Sequence, residues 1–550
     1  MEGTRVPTGK DTRLSDQKSR RAFLKAAGVA AAGVTGGAVA QFQTVDSATA
    51  ATLVEPPQAT LTTLSSRITE STGVSLRDFG AVGDGVTDDT EAIAAALASG
   101  GQILVPSGNF RMTRTISRSF SGVDLRGRPG ARIFSDTASA LFRMLETDEA
   151  HFEGIYFEIT TVDAAPDNAV GIFYSLSVGL KNVVWTDCTF RVARRAVNAI
   201  KIVADNANGE FCVENVFARS CEFIECARMG LEIQDHTVNP TVTRVRNVGA
   251  IDCLFESCGA LAHGIDLSFS GPILGAASIQ NRFRGSITIA LECAGGHLYP
   301  ILTDNTFEAL GANAQTISLT GSSMVHGPVI ERNRSLGRSG FGARFWNLTD
   351  ARLSHNILQF NGYVHVRDCI RGVAIGENYD SGGAYSLFVE STPARECADN
   401  VWLRCRFSTL VSAAPYSVTR FYGAKTFRNT VQEGSYGRKL GVRMDQLAGA
   451  ELNELRRCCN QGTAWAPIRS VPLLDSNRSI SIDETDCDAF VFSGALTRER
   501  LVTFPPCNRA WQMRNATTRV VSVTAGSSSI QIRPGESRLV SIEVRTITYA

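Results

Sequence analysis

The chain has 550 residues, a formal net charge of +1 and 43% hydrophobic residues. A charge balance so close to zero excludes a dedicated nucleic-acid binder, because phosphate contacts need a basic surplus. The length leaves room for one long domain and a small second one once a leader is set aside.

Ser19-Arg20-Arg21-Ala22-Phe23-Leu24-Lys25 has the twin-arginine export pattern, and residues 1–50 are read as a signal peptide. The apolar run Ala26–Ala40 is shorter than the roughly 20 residues of a membrane helix. Ala38-Val39-Ala40, or Ala48-Thr49-Ala50 further on, offers the small side chains of a cleavage site. The expectation is a chain exported folded to the periplasm or beyond, with no membrane span. Residues 51–73, rich in Thr, Ser and Pro, read as a linker.

The run Leu76–Ile93 comes next. Gly80, Gly83 and Gly85 suit a tight turn, Asp88 with Glu91 reads as a capping-box variant, and Ala92, Ile93, Ala96 and Leu97 form an apolar stripe ended by Gly100-Gly101. Gln102–Val105 is a short strand, and Pro106 with Gly108 makes a turn. Asp84, Asp88 and Asp89 are expected to serve caps and turns rather than a metal. This segment resembles the start of pectate-lyase-like and polygalacturonase-like proteins, in which a short helix caps a right-handed parallel β-helix. The resemblance implies an all-β solenoid that grips carbohydrate chains along one flank. It supplies no catalytic residues: Asp-Asp occurs only in the capping turn, His263-Gly264 follows Ala262 rather than Gly, and Ile200-Lys201 precedes that pair.

Residues 74–436 carry an imperfect repeat, a Cys or Asn two residues before a large apolar side chain, as in Cys188-Thr-Phe190, Cys221-Glu-Phe223, Cys253-Leu-Phe255, Asn281-Arg-Phe283 and Asn305-Thr-Phe307. It runs 188→221→253→281→305→333→356→378→405→429, a period of roughly 22 to 33 residues that fits one β-helix turn with loops of varying length. Stacked Asn should bond along an internal ladder and stacked Phe should fill the core. Cys221 over Cys253 and Cys226 over Cys258 could bridge, since coils lie about 4.8 Å apart; buried thiols are the favoured reading. Cys458, Cys459, Cys487 and Cys507 are the better disulfide candidates.

Short alternating strands follow each repeat signal. Aligning Gly230–Asp235, Gly264–Ser268, Ala290–Ala294 and Thr316–Thr320 sends Leu231, Ile265, Leu291 and Ile317 inward, and Glu232, Asp266, Glu292 and Ser318 outward on consecutive coils. Lys201 precedes this column, and Arg344 with Trp346, His365 with Arg367, then Phe388 with Glu390 follow it. Stacked carboxylates repel and push one pKa up, as an acid–base pair on a glycosidic bond requires. Glu232, Asp266 and Glu292 are therefore the candidate catalytic residues. Lys201, Gln234, Asp235, Ser318, Arg344, Trp346, His365 and Arg367 are candidates for substrate binding. A bound Ca²⁺ is another remedy for the repulsion; a lyase would then take Lys201, Arg344 or Arg367 as base.

Residues 437–478 read as a helix or connector, with Leu447, Leu452 and Leu455 among charged residues. From Ser479 to the end, six or seven short strands argue a small β-sandwich. The stretch from Phe492 through Trp511–Asn515 to Ile532–Glu536 resembles the β modules that end some phage tail-fibre and tailspike proteins, which implies attachment or a homotrimer. Two functions follow: a secreted polysaccharide lyase or glycoside hydrolase, or a non-catalytic surface, matrix or tailspike-derived attachment protein that binds glycan. The partner is a polysaccharide in either case.

Overall fold

The computed structural model describes residues 73–549, apart from 138–139, 162–169, 177–178, 194–196, 205–211, 237–243, 260–263, 322, 384, 410–416, 437–441, 448–449, 451–452, 457–458, 461–465, 482–483, 485–486, 506–508, 526–527 and 543–546. The signal peptide, nearly all of the linker, His263, Cys458 and Cys507 lie outside the described residues. Three long parallel sheets of 15, 15 and 13 strands make a β-helix, each coil contributing one strand to each sheet in turn. No helix among the described residues is long and apolar enough to cross a membrane.

The helix Thr90–Ser99 buries Ile93, Ala96 and Leu97 over the open end of the core, as the apolar stripe predicts. Its cap differs from the expected box. Asp89 is the N-cap residue but makes no cap bond; its buried carboxylate accepts from Val82 N at 2.7 Å and Gly83 N at 3.1 Å, which pins the preceding turn. Asp88 accepts from Thr90 N at 3.0 Å and from the Thr113 hydroxyl at 2.6 Å. Burial pushes the Asp88 carboxyl up, but these donors outweigh it and hold the pKa at about 2.

From Gly154 to Glu433, each passage from the first sheet to the second is a two-residue corner. Its first residue takes a left-handed φ, 52° at Asp187, 47° at Ser220, 56° at Asp252 and 57° at Gln280. The next residue points inward and forms the ladder. Cys253 N donates to Asn281 Oδ1 at 2.8 Å, Asn281 N to Asn305 Oδ1 at 3.1 Å, Asn305 N to Asn333 Oδ1 at 3.1 Å and Asn333 N to Asn356 Oδ1 at 2.9 Å. Buried thiols take the upstream places, with Cys188, Cys221 and Cys253 each donating at 3.5 Å to a carbonyl one coil back. Cys226 and Cys258 are also free and buried, so the two candidate bridges do not form. Beside the ladder, Phe190, Phe223, Phe255, Phe283 and Phe307 stack face to face at 5.0, 4.6, 5.1 and 5.3 Å.

Two ladder assignments change. Glu377, not Asn378, follows Asn356, whose backbone N–H it accepts at 3.1 Å. Asn429 belongs to a different corner, at the start of the first sheet, where Asn400, Asn429 and Asn453 form a second ladder. Residues expected to be a connector add further strands instead: Val442–Leu447, Glu454–Arg456 and Cys459–Asn460 extend the three sheets.

Beyond them lies a separate β unit with its own core of Phe490, Phe492, Phe504, Trp511 and Val523. Two sheets of five and four strands face each other, as a sandwich would. Ala466–Pro472, Cys487–Gly494 and Arg509–Thr517 nevertheless pair in parallel, so the chain coils before its last strands close antiparallel. The unit thus begins before Ser479.

Candidate functional site: the outer face of the third sheet

Strand register fixes the column. On the outward face of the third sheet, Lys201 pairs with Glu232, Glu232 with Ser268, Ser268 with Glu292, Glu292 with Ser318, Ser318 with Arg344, Arg344 with His365 and His365 with Phe388. Every candidate of that row except Asp266 stands where alternation places it.

Asp266 is two residues out of step. Leu267, rather than Ile265, pairs with Leu231 and Leu291, so Ser268 takes the place assigned to Asp266. Asp266 is 0% exposed and accepts from the Ser286 hydroxyl. Burial pushes its carboxyl well above the usual range. It cannot meet a substrate from there.

Glu232 is also buried, and it is neutralised. Its Oε2 accepts from Lys201 Nζ at 2.6 Å, Arg228 Nη1 at 2.6 Å and Asn198 Nδ2 at 2.7 Å, and its Oε1 from Gln234 Nε2 at 2.6 Å. Burial pushes its pKa up; the charges of Lys201 and Arg228 outweigh that and leave it below the ordinary carboxylate value. Lys201 is therefore a buried ion-pair partner. Gln234 also faces His236, at 3.0 Å, and Asp235 is buried and accepts from Arg244 N at 2.9 Å. Glu292 is half-buried and accepts from the Ser268 hydroxyl at 2.8 Å; Ser318 is buried beside it. Among the described residues, no three His, Cys, Asp or Glu side chains converge as a metal site would need.

The downstream coils carry the larger assembly. The Arg367 guanidinium lies 3.4 Å from the centre of the Trp346 ring and that of Arg344 5.2 Å from it. Trp346 thus holds these cations in place, since Arg367 already covers its face. His365 meets Trp346 edge-on at 5.3 Å, stacks on Phe388 at 5.0 Å and sits 2.6 Å from Glu390 Oε2. Burial pulls the His365 pKa down, against the pull of Glu390. Around them stand residues that the strand alternation did not flag. Tyr363 and Tyr385 pack edge-on at 5.7 Å, Arg420 lies over Tyr385 at 4.2 Å, and Tyr422, 41% exposed, approaches Phe388 at 6.2 Å. Tyr363 and Tyr385 sit just before their strands, outside the alternating pattern; Arg420 follows from register alone, opposite Phe388.

Residues 73–149 match the family described as rhamnogalacturonase A/epimerase, pectate lyase-like. Over 44 residues, 8% of this chain, the sequence is 52% identical to the pre-neck appendage protein of Bacillus phage B103, a match that spans 5% of the phage protein's length. Among solved structures, tailspike protein 3 of bacteriophage CBA120 is 14% identical, with 74% of this chain and 63% of the tailspike aligned at a TM-score of 0.47. The catalytic unit of an α-1,3-glucanase from Streptomyces thermodiastaticus is 14% identical over 71% of this chain and 69% of its own, at 0.43. An Azotobacter vinelandii mannuronan C-5 epimerase module is 14% identical over 70% of this chain and 99% of the module, at 0.38. The chain is a parallel β-helix whose first described segment, residues 73–149, is pectate-lyase-like.

Proposed function

We infer that this is an exported protein that holds an acidic polysaccharide along the outer face of the third sheet. One observation carries the reading: Arg344, Arg367 and Arg420 share a continuous face with His365, Tyr363, Tyr385, Phe388 and Tyr422 over successive coils. Guanidinium groups match sugar carboxylates in bidentate fashion, and aromatic faces cover the apolar side of a pyranose ring. The repeat of the coils lets one long chain meet several such groups at once.

Cleavage is the second reading, favoured by Glu292, the half-buried carboxyl of the column, which would meet the glycosidic bond as the acid. Glu232, two coils away and buried among its cations, would act only through its charge. A homotrimer would assemble through the C-terminal unit, which sedimentation of the full chain would reveal.

The test is a binding titration against acidic and neutral polysaccharides, followed by assays for new reducing ends and for the ultraviolet absorbance of unsaturated products. Binding confined to acidic chains, and weakened at least tenfold in Arg367→Ala, supports the first reading. New ends that vanish in Glu292→Gln establish the second. Equal binding by Arg367→Ala contradicts the assignment of this face.

A further inference from the structure

The outer face of the first sheet carries a second cleft, independent of the aromatic row. Its volume is about 560 Å³, and Arg126, His151, Glu153, Thr186 and Arg219 line it. The sheet register brings its polar groups together from four coils. Asp124 pairs with His151, Glu153 with Thr186, and Thr186 with Arg219. Inward Leu125, Phe152 and Trp185 alternate with these residues and fix their direction.

Three of the groups form a relay. Asp124, 2% exposed, places Oδ1 3.0 Å from His151 Nδ1, and its Oδ2 accepts from Arg126 Nε at 2.9 Å. His151 Nε2 lies 3.1 Å from Thr186 Oγ1. A carboxylate against Nδ1 selects the tautomer protonated there, so Nε2 accepts the threonine proton. The same sequence of carboxylate, imidazole and hydroxyl activates nucleophiles on unrelated folds and is recognised by geometry and role. Arg219, opposite Thr186 on the next coil, brings a cation to the same cleft.

We propose that this cleft is an acyl-transfer site that hydrolyses short-chain carboxylic esters, with Thr186 as nucleophile, His151 as base and Asp124 as positioning residue. Thr186 Oγ1 attacks the ester carbonyl carbon and passes its proton to His151 Nε2. The charge that develops on the carbonyl oxygen lies beside Arg219. Collapse of the adduct expels the alcohol, which leaves with the proton from His151. Water then attacks the acyl-Thr186 ester and gives a proton to His151. The second collapse returns that proton to Thr186 and releases the carboxylic acid.

The experiment uses the full chain with p-nitrophenyl acetate and butyrate. Turnover should fall at least about 100-fold in both Thr186→Val and His151→Gln, at unchanged melting temperature. Asp124→Asn should shift the pH profile of the remaining rate, which a purely structural bond would not do. Phenylmethylsulfonyl fluoride on the unaltered protein covers the case in which a variant fails to fold, and peptide mass analysis should find the sulfonyl group on Thr186. A folded protein with no turnover, full activity in Thr186→Val, or a Thr186 peptide left unmodified overturns the proposal.

Discussion

Buried carboxyl groups along this solenoid meet three fates, decided by their neighbours. Glu232 keeps its charge because Lys201 and Arg228 surround it. Glu232→Ala would strand two buried cations, a change that costs about 3–5 kcal/mol, and should lower the denaturation midpoint without altering the slope. Glu377 has no cation beside it among the described residues; burial lifts its pKa to about 8. An acid whose pKa is raised by folding contributes stability that is complete below the unfolded value and is lost as pH rises through the folded one. Stability should therefore decline between about pH 4.5 and pH 8, by up to roughly 1.4 kcal/mol per pH unit. Glu377→Gln should flatten that slope and raise the melting temperature at pH 8. Equal slopes in the two proteins would refute the assignment. Asp266, by contrast, is removed from the flank, so Asp266→Asn should leave polysaccharide binding unchanged in the same titration.

At the level of strands, alternation reveals which residues face outward but not which coil position they share. A strand slipped by two residues keeps every apolar side chain inward, so period two cannot tell Asp266 from Ser268. The column from Arg344 to Phe388 was legible because each of its strands offers one alternating frame. The ladder shows the same limit. A Cys or Asn before a Phe marks the corner wherever both are present, and Asn305 and Phe307 obey it. Glu377 breaks the residue rule while keeping the position, and Asn429 keeps the rule at another corner. The helix or connector expected over residues 437–478 gave way for a related reason: Leu447 and Leu455, which fit a helical stripe, lie in successive strands. Ladder amides should matter beyond their size. Asn305→Ala removes the acceptor of Asn281 N and the donor to Asn333 Oδ1 and Ser278 O, all inside the core. Each lost partner costs about 1–3 kcal/mol, and the measurement is the shift in unfolding midpoint.

For the whole molecule, the three-sheet solenoid acts as a ruler that repeats one outward position every coil. That regularity turns single arginines and aromatics, far apart in sequence, into a continuous face that a long chain can follow. Binding through several guanidinium groups should weaken as salt rises, since the Debye length falls from about 10 Å at 0.1 M to about 3 Å at 1 M. Contact between the third sheet's outer face and an acidic polysaccharide, as proposed, is read most directly by hydrogen exchange of the full chain with and without a bound acidic oligosaccharide. Protection confined to Gly342–Trp346, Val364–Arg367, Leu387–Glu390 and Ser417–Tyr422 is the result this structure predicts. Protection on the second sheet or in the C-terminal unit, with these four strands unchanged, would contradict it.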